Sequence, residues 1–339
     1  MRSRKLIDNN NNNKSTYDGS LANHIPMSLV ALDYLDANRF TMGKYVKEAK
    51  ERMSLKEFGD EQIKKEITPL LDRGVPDLEL SWRHYIEEQL EEHAPREILN
   101  DLFPLLVTGI ATGAFHPLIR LSYALETHNQ EEFVAAMAYW ASHYEELNNK
   151  TSEIIIPADL KEILIDATDA NFANPIVAQG NTIFHKMKSV SLSTEFNKNS
   201  YILEMDFDDY IDQSSLYAAY LFNRDFDFTL LHVTSSTMAL RLIGDYLTKE
   251  NKGLAVRHHF HAFRCAHYVA GAPRVTTPMT NTNTPEIEWK TLNKQAVQTL
   301  DDHVLKVTYL CLKEAQHYKR PFYKSLAKGY IEHHTKPKP

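Results

Sequence analysis

A chain of 339 residues with 43% hydrophobic and 24% charged side chains is long enough for one large domain or two small ones and has an ordinary globular composition. Its formal net charge of −7 leaves no basic field for nucleic acid or an acidic membrane surface, and no run of 18 apolar residues is present to span a bilayer. Only 11 glycines and two cysteines occur, which argues for helices over a hairpin-rich β fold. Cys265 and Cys311 read as buried thiols in a reducing, cytoplasmic setting rather than a disulfide.

Residues 1–17 carry an asparagine run at 9–13 and no apolar signal core, and they read as a disordered, low-complexity tail. In the next stretch Pro26 suits a first helical turn, and Met27, Val30, Ala31, Tyr34 and Leu35 form a helical stripe. His24 lies at that helix start, with Asn23 able to cap or orient it. The positive end of the helix dipole favours a neutral, metal-competent imidazole, although a capping histidine is the plainer reading of His24 taken alone. Residues 40–71 are charged, amphipathic scaffold. A loop at 74–77 follows, with Asp77 placed to cap a helix to about Glu92 in which Trp82 is a core aromatic.

Residues 109–126 are apolar nearly all round, so the spacing predicts a buried helix, kinked or broken before Pro117. Gly109 and Gly113 are spaced for a bend or a close helix approach. His116 falls at the break, where a side chain can be aimed into a cavity. Arg120, one turn on, can pair with a carboxylate or hold a substrate oxygen. The alternative is a satisfied core histidine beside a structural arginine.

A helix over 131–147 should turn Phe133, Met137, Trp140 and Tyr144 inward, and Asp159 should open the next one after a short strand-like piece at 153–156. Residues 207–247 are strongly helical. His232 sits there between Leu231 and Val233, with Thr234, Ser235 and Ser236 available to bond the backbone or a ligand's outer nitrogen. A core histidine bonded to a carbonyl is the competing reading. Residues 256–268 hold four histidines, of which His258, His259 and His261 share no helical face. That run reads mostly as a solvated face with one or two core members.

A long helical pattern runs from about 290 to 318, with His303 and Lys306 three residues apart on the side of Val307 and Leu310. A lysine facing a core must be paired, neutral or chemically modified, because burying its charge unpaired costs on the order of several kcal/mol. This pair reads as part of a metal site whose other ligands lie far away in sequence.

Four stretches carry a family resemblance in order along the chain. They are Asn23-His24-x-Pro26-Met27, His116-Pro117-Leu118-Ile119-Arg120-Leu121, Leu231-His232 and Asp302-His303-x-x-Lys306, with Tyr268-Val269-Ala270-Gly271-Ala272-Pro273 between the last two. Together they resemble the questin oxidase-like family over about residues 18–328. The resemblance implies an all-helical fold and an oxygenase acting on a hydrophobic, aromatic small molecule of the quinone or hydroquinone kind, with dioxygen as co-substrate. It implies a non-haem Fe2+ held by His24, His116, His232, His303 and a carboxylated Lys306. Arg120, Tyr123, Thr234 and Asp302 are the residues to hold substrate or orient ligands. The family's namesake chemistry is an NADPH-linked, Baeyer–Villiger-type oxidation. The chain has no Gly-x-Gly-x-x-Gly after a strand, so no built-in nucleotide site is expected and NADPH stays open only as an external reductant.

The expectation is therefore an all-α fold with a single large helical domain over residues 18–335 and a metal site buried between helices. Two other readings stand beside the oxygenase: a different metal-dependent enzyme, such as a hydrolase, on the same site, and a non-catalytic helical protein that binds an apolar ligand. Oligomeric state is not set by the sequence.

Overall fold

The computed structural model describes residues 1–59, 62–149, 151, 153–275 and 287–336. Among these the fold is all-α, with seventeen α-helices and two sheets of two short strands each. No helix of the described residues is long and apolar enough to cross a membrane. The chain forms two compact units.

The first unit contains the described residues of Met1–Gly59, Glu126–Glu132 and Thr277–Pro339. Its centre is the helix Asp302–Tyr318, which packs against Ile25–Tyr34, Trp289–Thr299 and Phe322–Thr335. The single helix expected over 290–318 is two helices. Leu300 takes a left-handed conformation (φ 51°), and the Asp301 carboxylate then accepts hydrogen bonds from the backbone N–H of His303 and Val304. That side chain satisfies two of the donors a new helix start leaves open, so a second helix begins where the stripe alone would continue one. The consequence is local: His303 sits in a first helical turn.

The asparagine-rich segment carries local structure. Arg4–Asp8 is helical, Ile7 is buried, and Ser3 donates from its N–H and its hydroxyl to Asp33 Oδ2, both at 2.9 Å. Asn10 Nδ2 donates to Leu6 O and Asn13 Nδ2 to Asn10 O, while Lys14 N–H donates to Lys56 O. Asparagine supplies a donor and an acceptor on a short stem, so the run satisfies its own backbone, which composition does not reveal.

The second unit contains the described residues of Asp60–Leu125 and Phe133–Thr276. Phe207–Asn223 and Phe228–Gly244 form a helical hairpin, and Lys249–Val269 packs on both and on Ile183–Leu192. Asp206, Asp227 and Thr248 cap these three long helices through their side chains. Asp159 opens Leu160–Ala173 as expected, and the strand-like piece is real: Ile154–Ile155 pairs in parallel with Ile202–Leu203. Two boundaries differ from expectation. The helix expected to reach 147 is Gln130–Ser142, which leaves Tyr144 outside it. Asp77 caps nothing, because a 3-10 turn, Pro76–Leu78, leads directly into Glu79–Gln89. Trp82 is fully buried and donates to Asp72 O, as a core residue should.

Gly109 makes the close approach its position suggested. A Cβ there would stand 2.5 Å from the Tyr144 ring and 3.0 Å from Glu145 O. Gly109→Ala is expected to destabilise the protein by about 1–3 kcal/mol, read as a lower urea midpoint with an unchanged m-value. An unchanged midpoint would mean that Tyr144 moves aside freely.

Candidate functional site

In the first unit His24 occupies the N-cap of Ile25–Tyr34 and His303 the first turn of Asp302–Tyr318. Their rings meet edge to face with centroids 5.1 Å apart. Asn23 holds the backbone around His24: its Oδ1 accepts from Ile25 N–H and its Nδ2 donates to Lys14 O. Asp302 is the buried charge of this corner. Its Oδ1 accepts from the Tyr45 hydroxyl at 2.5 Å, its Oδ2 accepts from Arg52 Nη2 at 2.7 Å, and His24 Nδ1 stands 3.4 Å from Oδ2. Burial pushes the Tyr45 phenol well above its usual range, and the Asp302 charge pushes it further, so it stays a donor. The sequence marks Tyr45 and Arg52 only as scaffold. The inward stripe Met42, Tyr45, Ala49 and Met53 in an otherwise charged helix was the signal that could have marked that face.

Lys306, one turn beyond His303, is 5% exposed. Burial pulls its amine down to about 8, with Asp302 and Asp301 opposing that shift. An amine at about 8 is neutral in roughly a tenth of molecules at pH 7, against well under a thousandth for a free lysine. Neutral amine is the form that reacts with carbon dioxide. The same shift has a stability consequence. The unfolded lysine still holds its proton between about pH 8 and 10.5 when the folded one does not, so unfolding takes up a proton and stability rises with pH across that window. Lys306→Met should abolish a gain of about 2 kcal/mol between pH 7.5 and 10, seen by comparing denaturant midpoints of the two proteins at those two pH values. Parallel pH dependences would show that Lys306 is not a buried cation.

In the second unit His116 and His232 form another edge-to-face pair, with centroids 4.9 Å apart. Both side chains are buried. His116 Nδ1 lies 2.5 Å from Gly113 O and His232 Nδ1 lies 2.7 Å from Phe228 O. A carbonyl can only accept, so each Nδ1 carries the proton and donates, and each Nε2 holds the lone pair. This is the arrangement that a metal-ligating imidazole takes from its outer partner.

The backbone that makes this possible is unusual. The expected break comes before His116, which is the first residue of His116–Glu126, and Gly113, Ala114 and Phe115 all have positive φ (54°, 58° and 66°). That run turns the Gly113 carbonyl onto the His116 ring. Left-handed conformations at Ala and Phe cost about 1–3 kcal/mol each, strain that tends to collect at functional positions. On Phe228–Gly244 the hydroxyls of Thr234 and Ser235 bond the carbonyls of Leu230 and Leu231, so the outer nitrogen of His232 is held by backbone rather than by these hydroxyls. Arg120 and Tyr123 are buried on the His116 helix. The Tyr139 phenol is pushed up by burial, further by Glu79 and back by Arg120, so the arginine and a carboxylate both act on that ring.

The histidine run of Lys249–Val269 is buried, contrary to the solvated face expected. His259 and His267 are fully buried and His261 nearly so. Each has partners from elsewhere in the chain: Tyr210 and Ser236 for His259, Asn148 O for His261 and Pro273 O for His267. Burial pulls His259 and His261 down to about 3 and His267 to about 4, so these are neutral core imidazoles. Among the described residues no group of three or more His, Cys, Asp or Glu side chains is arranged to hold a metal ion. Of the motif histidines, the first unit brings together His24 and His303, with Lys306 and Asp302 beside them, and the second brings together His116 and His232. A model of the family described as Questin oxidase-like matches residues 21–311, and among curated proteins none matches the chain.

Proposed function

The chain belongs to the questin oxidase-like family, and on that footing we propose that it is a non-haem iron oxygenase acting on a hydrophobic, aromatic small molecule of the quinone or hydroquinone kind. The observation that carries this reading is the buried His116–His232 pair, with both Nδ1 protons given to carbonyls and both Nε2 lone pairs thereby set as donors to a metal. The proposed ligands are His24, His303 and Lys306 in the first unit, the last as a carbamate, and His116 and His232 in the second. The carbamate forms when the neutral amine adds to carbon dioxide, making an N–C bond and releasing a proton to solvent. It would give His24 and His303 an anionic oxygen partner suited to Fe2+. Bound iron would supply the redox centre for dioxygen chemistry.

The remaining roles fall to the chain's own side chains. Asp302, held by Tyr45 and Arg52, fixes the Nδ1 side of His24. Arg120 and Tyr123, buried on the His116 helix, are proposed to hold the oxygens of the aromatic substrate, where a guanidinium would favour a phenolate. NADPH enters, if required, as an external reductant. Oxygen-electrode measurements on Fe2+-loaded protein with a hydroquinone, with and without NADPH, are expected to show uptake that zinc-loaded protein lacks. Turnover that is equal with either metal, without oxygen consumption, would place the protein among hydrolytic metalloenzymes instead.

A further inference from the structure

Tyr139, on Gln130–Ser142, brings another buried polar group to the turn that carries His116. It is 2% exposed, and its hydroxyl has no hydrogen-bond partner among the described residues. The ring is fixed by the edge of His143, with centroids 5.0 Å apart. The oxygen stands over the backbone of Gly113. A Cβ there would lie 2.8 Å from Tyr139 Oη, 3.8 Å from Cζ and 3.9 Å from Pro117 Cδ. Gly113 is also the residue whose carbonyl lies 2.5 Å from His116 Nδ1.

In an ordinary core a phenol without a partner is worse than a phenylalanine, because the buried donor has lost water and gained no acceptor. What this hydroxyl gains is contact with one backbone position. It fills the space over Gly113 that a side chain would otherwise take, at the start of a turn whose three residues all have positive φ. The far end of that turn is fixed separately. The Phe115 ring centroid lies 5.9 Å from that of His259, which Tyr210 and Ser236 hold at 2.6 and 2.9 Å. Left-handed conformations persist only where the surroundings over-determine them. With Phe115 anchored, any slack in the turn falls at Gly113. We propose that Tyr139 is a positioning residue for His116: its hydroxyl keeps the Gly113 carbonyl on the ring, and so keeps the imidazole proton on Nδ1 and the lone pair on Nε2. The consequence for metal binding rests on His116 being a ligand, but the tautomer itself does not.

Long-range proton–nitrogen NMR of the metal-free full chain, isotope-labelled at histidine, reads that tautomer at a pH where the ring is neutral. His116→Gln assigns the signal. Wild type is expected to show one form, protonated on Nδ1. Tyr139→Phe should give a mixture of Nδ1–H and Nε2–H forms, while its urea midpoint equals that of wild type or rises, since the unpartnered donor is gone. Its Fe2+ affinity, by chelator competition, should fall several-fold as the competent tautomer is depleted. Gly113→Ala alone drives a methyl against the hydroxyl and should disturb the signal too. In Gly113→Ala combined with Tyr139→Phe the methyl meets only ring carbon, at ordinary contact distance, and the Nδ1–H form should return. An unchanged Nδ1–H signal in Tyr139→Phe overturns the proposal, whether or not the protein takes up iron. A mixed tautomer in a protein that binds no iron upholds it and removes only the iron reading. Where Tyr139→Phe fails to fold, an unchanged signal in Gly113→Ala overturns it.

Discussion

Below about pH 6 the protein should lose stability steeply, and the buried histidines of Lys249–Val269 are the cause. His259 and His261 titrate at about 3 and His267 at about 4 in the folded chain, against about 6.5 when unfolded. Across that interval the unfolded chain binds protons that the folded chain cannot, so stability is complete above 6.5 and falls as pH drops toward the folded values. Each histidine contributes about 2 kcal/mol of loss by pH 5 and about 3 by pH 4. Three together rival the whole stability of an ordinary domain, about 5–15 kcal/mol. The geometry explains why protonation is resisted. Ser236 gives its own proton to Val233 O, so His259 Nε2–H donates to the serine and Nδ1 accepts from the Tyr210 hydroxyl. A second proton on the ring would break the Tyr210 bond inside the core. Urea midpoints should therefore drop sharply between pH 7.5 and 5, and His259→Gln should flatten about a quarter of that slope, since burial also pulls His258 down, to about 4. A midpoint flat over the same range would show that these rings reach solvent.

Loss of either member of the His116–His232 pair should remove metal binding. His116→Gln and His232→Gln keep a side chain of similar length, and both positions are buried, so the variants are expected to fold with modest loss of stability. Iron affinity, measured by competition with a chelator, should fall by at least roughly a hundredfold in each. Asp302→Asn, which weakens the partner of His24 rather than a ligand, should cost about 10–100-fold. His185→Gln, at an exposed position, is the control and should change nothing. Undiminished affinity in His116→Gln and His232→Gln would return both residues to the role of satisfied core histidines.

Much of this was legible in the sequence because it rests on local rules. The helical stripes, the break before Pro117 and the Asp159 cap each depend on residues a few positions apart. So does the inward face shared by His303 and Lys306, and Lys306 is buried as that face required. What stayed hidden depends on partners far away in the chain. The run at 256–268 looked solvated because arginines and histidines alternate with its apolar residues. It is buried because Tyr210, Ser236 and Asn148 reach it from other segments, while Pro273, six residues on, takes His267. Asp302 could be named from its motif, but Tyr45 and Arg52, the groups that hold it, lie more than two hundred residues earlier. The break at Leu300 is a miss that local reading could have avoided. Asp301 followed by a fresh apolar stripe is a helix-start signal, outweighed there by the continuity of the pattern.

The central claim, that these histidines and Lys306 bind iron, is tested most directly by metal analysis. The protein would be purified without an affinity tag or added metal and analysed before and after anaerobic Fe2+ reconstitution, with Lys306→Ala and His116→Ala alongside. The expected result is close to one iron per chain in wild type and little in either variant. A wild-type protein that takes up no iron even after reconstitution would contradict the claim and leave a helical protein whose buried histidines are structural.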